Sequence, residues 1–192
     1  GLYVIINIHH DDLDHKKPGS WLSPTYANQQ ATTKRLQKLW LQIANRFKDY
    51  GDYLLFETMN EPRAVNTAYE WNGGSAEHRD VVNQLNLAAV NTIRGSGGNN
   101  AARFIMVPQV GAHGLAAIAD MVIPNDDDKI IVSIHNYNPF NFTLNEGEDG
   151  VDFWGAEAQV KAVQDDLKSY HQAFVSQGRA VILGEWGAGD KN

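Results

Sequence analysis

The chain has 192 residues, of which 43% are hydrophobic and 20% are charged, the proportions of an ordinary globular domain. Its formal net charge is −7, which argues against a nucleic-acid-binding protein because such proteins usually carry a basic face. The absence of cysteine excludes disulfides and thiolate chemistry, and no apolar run approaches the roughly 18 residues of a membrane span. We therefore expect neither nucleic acid nor a membrane as a partner.

Five short apolar runs rich in β-branched residues predict strands at Leu2–Ile8, Tyr53–Phe56, Arg103–Val107, Ile130–Ile134 and Ala180–Leu183. They are almost continuously apolar, which is typical of parallel strands buried on both faces. Between them, apolar residues at helical spacing predict helices within 36–47, 82–93 and 160–174. This alternation of strands and helices predicts a single α/β domain over residues 1–192.

Polar side chains stand where each predicted strand ends: His9-His10-Asp11-Asp12, Asn60-Glu61-Pro62, Gln109, His135-Asn136-Tyr137 and Glu185-Trp186. The carboxyl ends of parallel strands meet at one rim, where α/β proteins bind ligands. A doubly wound sheet would usually carry a glycine-rich phosphate loop after a strand, and none of the predicted strands is followed by one. The pattern therefore favours a (β/α)8 barrel.

Two of these residues, Glu61 and Glu185, fit glycoside hydrolysis, which needs a carboxylic acid to protonate the leaving oxygen and a second carboxylate below the sugar ring. A separation of roughly 5 Å gives retention of configuration, and a wider gap gives inversion. The alternative is that each glutamate is only a helix-cap partner or a surface charge, since the chain has 23 acidic residues.

The neighbours of the two glutamates favour the hydrolase interpretation. Asn60 offers a hydrogen bond to a sugar hydroxyl, and Trp186 offers an aromatic face to a sugar ring. His135 and Tyr137 are two residues apart on an extended segment and so face the same side. We expect Tyr137 to keep the nucleophile ionised and His135 to tune the acid, whose pKa must rise towards neutrality.

Four ordered motifs carry a resemblance to glycoside hydrolase family 5, and most of all to its subfamily 4 endoglucanases and xyloglucanases. They are the strings IINIHH at 5–10, FETMNEP at 56–62, SIHNYNPFNF at 133–142 and LGEWG at 183–187. The similarity also includes WLSPTYAN at 21–28 and EWNGG at 70–74, and it extends over nearly the whole chain.

The resemblance implies that Glu61 is the acid/base and Glu185 the nucleophile. It also implies that Asn60 binds the 2-hydroxyl of the sugar undergoing cleavage and that His135 and Tyr137 support the two carboxylates. His9 and His10 would line the subsite next to the cleavage point. Neighbours on a strand point to opposite faces, so the sequence leaves open which of these two histidines contacts sugar.

In this family the four motifs lie on strands three, four, six and seven, so the resemblance implies a TIM barrel that begins at strand three and stops after strand seven. The first two and the last βα units, an arginine on strand two and a sugar-stacking tryptophan on strand eight have no counterpart here. A complete barrel needs about 250 residues. We expect a partial catalytic domain with two unpaired apolar edges, covered by another copy in a homo-oligomer or by rearranged segments.

Other features have weaker interpretations. The run from His9 to His15 has the composition of a metal site, and a metal-dependent hydrolase is a rival hypothesis, but adjacent strand residues diverge and we predict no metal. Asp126-Asp127-Asp128 fits a solvated turn better than a calcium site. Trp21 and Trp71 fall in loops at the expected rim, where sugar stacking and ordinary loop packing are both open.

The sequence thus predicts a retaining, endo-acting glycosidase that cleaves β-1,4-glucosidic bonds in cellulose, mixed-linkage glucan or xyloglucan. It needs no cofactor, its partner is the β-glucan polysaccharide, and the full-length protein is expected to be extracellular. The alternative is a catalytically impaired fragment that only binds glycan.

Overall fold

The computed structural model describes residues 1–9 and 21–190. Five strands form one sheet in chain order: β1 (Val4–Asn7), β2 (Leu54–Glu57), β3 (Ile105–Val107), β4 (Ile130–Asn136) and β5 (Val181–Trp186). Every neighbouring pair is parallel. This is the strand arrangement of an arc of a (β/α)8 barrel, as the sequence predicts, and each predicted strand is present with shifted ends.

Helices connect the successive strands. They are α1 (Tyr26–Phe47), α2 (Ala76–Gly95), α3 (Leu115–Ala119), α4 (Phe140–Thr143) and α5 (Glu157–Ala173), with short 3-10 turns at Gly98–Ala101, Val110–Ala112, Pro124–Asp126 and Val175–Gln177. The three predicted apolar stripes lie on α1, α2 and α5, although Phe174 falls just beyond the end of α5. Among the residues that the structure describes, none of these helices is long and apolar enough to cross a bilayer.

The main core lies between the sheet and the first two long helices. Its fully buried members include Leu36 and Trp40 of α1, Leu85 of α2 and Phe56 of β2. Trp40 packs against Phe56 with ring centroids 5.3 Å apart, and its indole N–H donates to the Thr58 carbonyl at 2.9 Å. A smaller cluster on the opposite face of the sheet contains Leu55, Met106 and Ile131, so the three middle strands are buried on both faces, as predicted.

The two outer strands differ from that prediction. Tyr3 is 70% exposed and Val4 53%, and Leu183 on β5 is 38% exposed. Each outer strand pairs with a single neighbour within the described part of the chain, so nothing there covers the other edge. The expected apolar edges are therefore present, and their coverage by a second copy stays a prediction.

Arg103 is a buried side chain that ties the end of α1 to the sheet. It is 2% exposed, and its guanidinium donates to the carbonyls of Phe47, Tyr50 and Leu54 at 3.0, 2.7 and 2.6 Å. Its Nε donates to Asn100 Oδ1 at 2.7 Å. Because buried carbonyls need donors, this one side chain satisfies several groups that would otherwise be unpaired.

We expect Arg103→Lys to lower the free energy of unfolding by about 2–4 kcal/mol, because the ammonium cannot reach all of these acceptors in the planar geometry of a guanidinium. Urea denaturation followed by circular dichroism measures the change. Arg46→Lys is the matched control, since Arg46 is exposed on α1, and it should cost less than about 0.5 kcal/mol. Equal stabilities of the two variants would contradict this role for Arg103.

Candidate active site

The functional side chains lie at the carboxyl ends of the strands. Glu61 follows β2 by four residues, and the backbone N–H of the preceding Asn60 donates to the Ile8 carbonyl at 3.1 Å, which holds this segment against the end of β1. Glu61 has φ of 36°, an uncommon value for a residue with a side chain. Such a backbone costs of order 1–3 kcal/mol and tends to occur where function requires it.

A β-bulge places Glu185. The ladder between β4 and β5 pairs Ile134 with Leu183 and then His135 with Glu185, so Gly184 is an extra residue in β5. A side chain at Gly184 would have its Cβ 3.2 Å from both His135 Nε2 and Ser133 Oγ. Glycine is therefore required by close approach, and the bulge brings the Glu185 carboxylate level with His135.

The two glutamates come together across the rim. His135 is 2% exposed and lies between them, with Nδ1 in a 2.9 Å hydrogen bond to Glu61 Oε1 and 3.5 Å from Glu185 Oε2. One carboxylate oxygen of Glu61 and one of Glu185 lie within 4.8 Å of each other. This close approach agrees with the roughly 5–5.5 Å spacing of the carboxyl groups in retaining glycosidases.

Glu185 has two further partners that the sequence singled out. The Tyr137 hydroxyl donates to Glu185 Oε2 at 3.0 Å, and His9 Nε2 lies 4.0 Å from Glu185 Oε1. Burial and the bond to Glu185 raise the pKa of Tyr137, so the phenol stays protonated and remains a hydrogen-bond donor to Glu185. This is the supporting contact expected for Tyr137. His10 lies outside the described residues.

The prediction that the site raises the pKa of the acid, Glu61, is wrong for this structure. Burial raises the pKa of Glu61, but the hydrogen bond and charge of His135 lower it, together with Arg63 and His113, and the net direction is downward. Burial lowers the pKa of His135, but the carboxylates of Glu61, Glu185 and Glu57 raise it by more, and the net direction is upward. The proton of the Glu61–His135 pair therefore lies on the imidazole.

One wall of the site was largely missed from the sequence. The Arg63 guanidinium lies over the Trp71 ring at 4.1 Å, and its Nη1 is 3.6 Å from Glu61 Oε2. Trp71 stacks on His113 with ring centroids 6.4 Å apart and an interplanar angle of 23°. The position of Arg63 directly after the Asn-Glu-Pro motif is the signal in the sequence that could have identified this wall.

The site opens into a cavity of about 650 Å³. Its walls carry both acidic and aromatic side chains: Glu61, Trp71, His113, His135, Asn136, Tyr137, Asn138, Phe140, Leu144, Tyr170 and Glu185. Trp71 is half exposed here, which suits the sugar-stacking role and not loop packing alone. Asn60 is 7% exposed and does not line this cavity, and its Oδ1 is buried with no hydrogen-bond partner in the described part of the chain.

Three other predicted residues lie elsewhere. Trp21 is partly buried against the main core, with the Arg35 guanidinium 5.2 Å from its ring, and is not among the residues lining this cavity. Trp186 is 75% exposed and lines a second, apolar groove with Phe142 and Trp154. Gln109 is buried and donates to Asn83 at 2.8 Å, so it supports the loop after β3 and does not face the rim.

The possible metal ligands also have other partners. Within the described residues, Glu61, His135 and Glu185 form the one group whose donor atoms are close enough to hold an ion. In this group His135 Nδ1 bonds to Glu61 Oε1 at 2.9 Å and lies 3.5 Å from Glu185 Oε2. Most of the acidic and histidine run after His9 lies in residues 10–20, outside the described part. Asp127 pairs with Arg94 at 2.9 Å and Asp126 with Arg179 at 3.1 Å, contacts that anchor a turn.

The model of the family described as cellulase, glycosyl hydrolase family 5, matches residues 1–192. The cellulase/esterase CelE of Acetivibrio thermocellus is 52% identical over 193 residues, covering 100% of this chain and 23% of that protein. A solved broad-specificity GH5-4 endoglucanase from Clostridium acetobutylicum superimposes with a TM-score of 0.92 at 48% identity, covering 99% of this chain and 55% of that one.

A solved structure named ZgEngAGH5_4, in complex with a cellotriose, superimposes with a TM-score of 0.88 at 46% identity over 97% of this chain and 54% of that one. This chain thus spans about half the length of the solved proteins and less than a quarter of that of CelE. The match to the family model and the pair of glutamates on the rim of a parallel α/β sheet agree. The chain belongs to glycoside hydrolase family 5.

Proposed function

We propose that the protein of which this chain is part is a retaining endo-β-1,4-glucanase. The observation that carries the proposal is the pair of carboxylates, Glu61 and Glu185, with oxygens within 4.8 Å of each other at one rim. The similar solved proteins support the substrate class, since one is named a broad-specificity endoglucanase and another holds a cellotriose. Cellulose, mixed-linkage glucan and xyloglucan are the proposed substrates.

In the first step the Glu185 carboxylate attacks the anomeric carbon while Glu61 gives its proton to the leaving glycosidic oxygen. The bond from the anomeric carbon to that oxygen breaks, and a glycosyl ester of Glu185 forms. In the second step the Glu61 carboxylate takes a proton from water, whose oxygen attacks the anomeric carbon and releases Glu185. The Tyr137 hydroxyl donates to Glu185 whenever Glu185 is a carboxylate, that is, before the glycosyl ester forms and after it is hydrolysed.

The proton for the first step is held by the Glu61–His135 pair. In the open cleft it lies on His135, 2.9 Å from Glu61 Oε1. A bound sugar excludes water, and loss of water destabilises the ionised forms of both Glu61 and His135. This favours transfer of the proton from His135 to Glu61. When two groups share one proton, the apparent pKa values belong to the pair and not to either group. Glu61 therefore does not need a raised pKa before the sugar binds.

The residues around the cavity indicate which side chains contact the substrate. Trp71 is half exposed in the cavity that also contains Glu61, and Asn60 Oδ1, just before Glu61, is buried with no hydrogen-bond partner in the described part of the chain. We propose that Trp71 contacts the sugar and that Asn60 binds a sugar hydroxyl. We also propose an extracellular location, because a polymeric glucan cannot enter a cell to be cut.

Hydrolysis of cellotetraose by the full-length protein, followed by proton NMR from the first minutes, tests the proposal. We expect β-cellobiose to appear first and the α-anomer to appear only as mutarotation proceeds, because two displacements restore the configuration. Initial release of the α-anomer would mean inversion. Absence of any new reducing ends on carboxymethylcellulose, mixed-linkage glucan and xyloglucan would reject the glucanase activity itself.

A further inference from the structure

A third glutamate lies beneath the two on the rim. Glu57 is the last residue of β2 and is only 4% exposed. It accepts hydrogen bonds from the Ser133 hydroxyl on β4 and from Asn7 Nδ2 on β1, the latter at 2.9 Å. Both donors are neutral. A buried carboxylate is costly unless a positive charge lies near it, so its position requires an electrostatic explanation.

The positive charge that Glu57 stabilises is that of protonated His135. Ser133, which bonds to Glu57, is two residues before His135 on β4, so the two side chains share a face. A Cβ at Gly184 on β5 would lie 3.2 Å from both Ser133 Oγ and His135 Nε2, so the hydroxyl that bonds to Glu57 and the imidazole lie beside each other. Glu61, Glu185 and Glu57 all raise the pKa of His135 through their negative charges. Of these three carboxylates, Glu57 is buried and does not line the cavity.

Asn7 connects Glu57 to the second histidine. Its Nδ2 lies 2.9 Å from Glu57 Oε2 and 3.2 Å from His9 Nδ1. Because an ionised carboxylate only accepts, Glu57 fixes the amide with its NH2 group towards both atoms. His9 Nδ1 is then an acceptor, and the proton of a neutral His9 is on Nε2, the atom 4.0 Å from Glu185 Oε1.

We propose that Glu57 is a positioning residue for the catalytic pair: its negative charge keeps His135 protonated between Glu61 and Glu185, and through Asn7 it points the Nε2–H of His9 at Glu185. The inference deepens the proposed glucanase function and rests on it. Glu57 touches no reacting atom. It acts at the base of the site by holding the proton that Glu61 delivers and by orienting a donor towards the nucleophile.

The test is Glu57→Gln in the full-length protein, which keeps the shape of the side chain and removes its charge. Nitrogen-15 NMR of the histidine side chains should show His135 losing its proton at a lower pH than in the wild type. We expect kcat to fall about 10-fold or more with KM within about twofold, because a charge-assisted contact is lost behind the site. The basic limb of the kcat–pH profile should move to lower pH.

Two variants separate positioning from packing. Asp165→Asn removes an exposed carboxylate on α5 and should change none of these quantities. Asn7→Ala removes the link to His9 and one neutral donor to Glu57 but leaves the charge of Glu57 in place. We therefore expect kcat to fall and the His9 tautomer to change, while the titration of His135 stays close to that of the wild type. If Glu57→Gln does not fold, Asn7→Ala decides: an unchanged kcat and His9 tautomer would overturn the proposal.

A folded Glu57→Gln protein with wild-type kcat and wild-type His135 titration would also overturn it. Failure of the glucanase proposal is recognised separately, because the wild-type protein would then release no new reducing ends from carboxymethylcellulose, mixed-linkage glucan or xyloglucan. The histidine NMR titration does not depend on turnover, so it reports the role of Glu57 in ordering the site in either case.

Discussion

Glu185→Gln is expected to reduce kcat on β-glucan by at least about 1,000-fold, because the amide cannot form the glycosyl intermediate. Its size is nearly that of glutamate, and it can still accept from the Tyr137 hydroxyl, which donates to Glu185 Oε2 at 3.0 Å. Sugar binding should therefore survive. Reducing-end release gives kcat, and calorimetric titration of the variant with cellotetraose gives the affinity.

The same loss should occur with an aryl cellobioside that has a very good leaving group, since the missing nucleophile is needed whatever departs. Glu157→Gln, an exposed glutamate in the first turn of α5, is the control and should behave as the wild type. Hydrolysis by Glu185→Gln within tenfold of the wild-type rate would remove Glu185 from the role of nucleophile.

Glu61→Gln is expected to behave differently with different substrates. On polymeric glucan, kcat should fall about 100- to 10,000-fold, the contribution of a positioned general acid and base. With 2,4-dinitrophenyl cellobioside the first step should remain fast, because dinitrophenolate leaves without a proton. The second step should be slow, because no carboxylate activates the water.

Stopped-flow absorbance should therefore show a burst of dinitrophenolate in this variant, followed by slow turnover. Azide, which needs no base, should restore turnover and give the β-glycosyl azide. Equal losses on both substrates, with no effect of azide, would instead indicate that Glu61 only supports the fold of the site around His135, to which it is bonded at 2.9 Å.

The strand-end motifs were enough to find the two glutamates and their supports. Residues such as Asn60, Glu61 and Glu185 are polar side chains at or just beyond the ends of apolar strands, and the parallel order of the strands brings those ends together. The apolar stripe predicted within 36–47 contains Trp40, which is fully buried.

What the sequence did not predict depends on geometry between elements. The pKa of Glu61 is lowered by His135 on β4, by Arg63 in its own segment and by His113 in the segment after β3. Charges that converge in space in this way leave no periodic signal in the sequence. The stack of Arg63, Trp71 and His113 depends on loop conformation in the same way. Trp186 follows Glu185 directly, but adjacent strand residues face opposite sides, so its ring lies in another groove.

The extra residue at Gly184 has a consequence for how such a site can change over time. The gap between Glu61 and Glu185 is fixed by a count of residues along β5, and a count changes only in whole steps. Substitutions in the walls of the cleft leave this count of residues unchanged. Deletion of Gly184 would instead shift Glu185 by one position and turn its side chain to the other face of the sheet, away from Glu61.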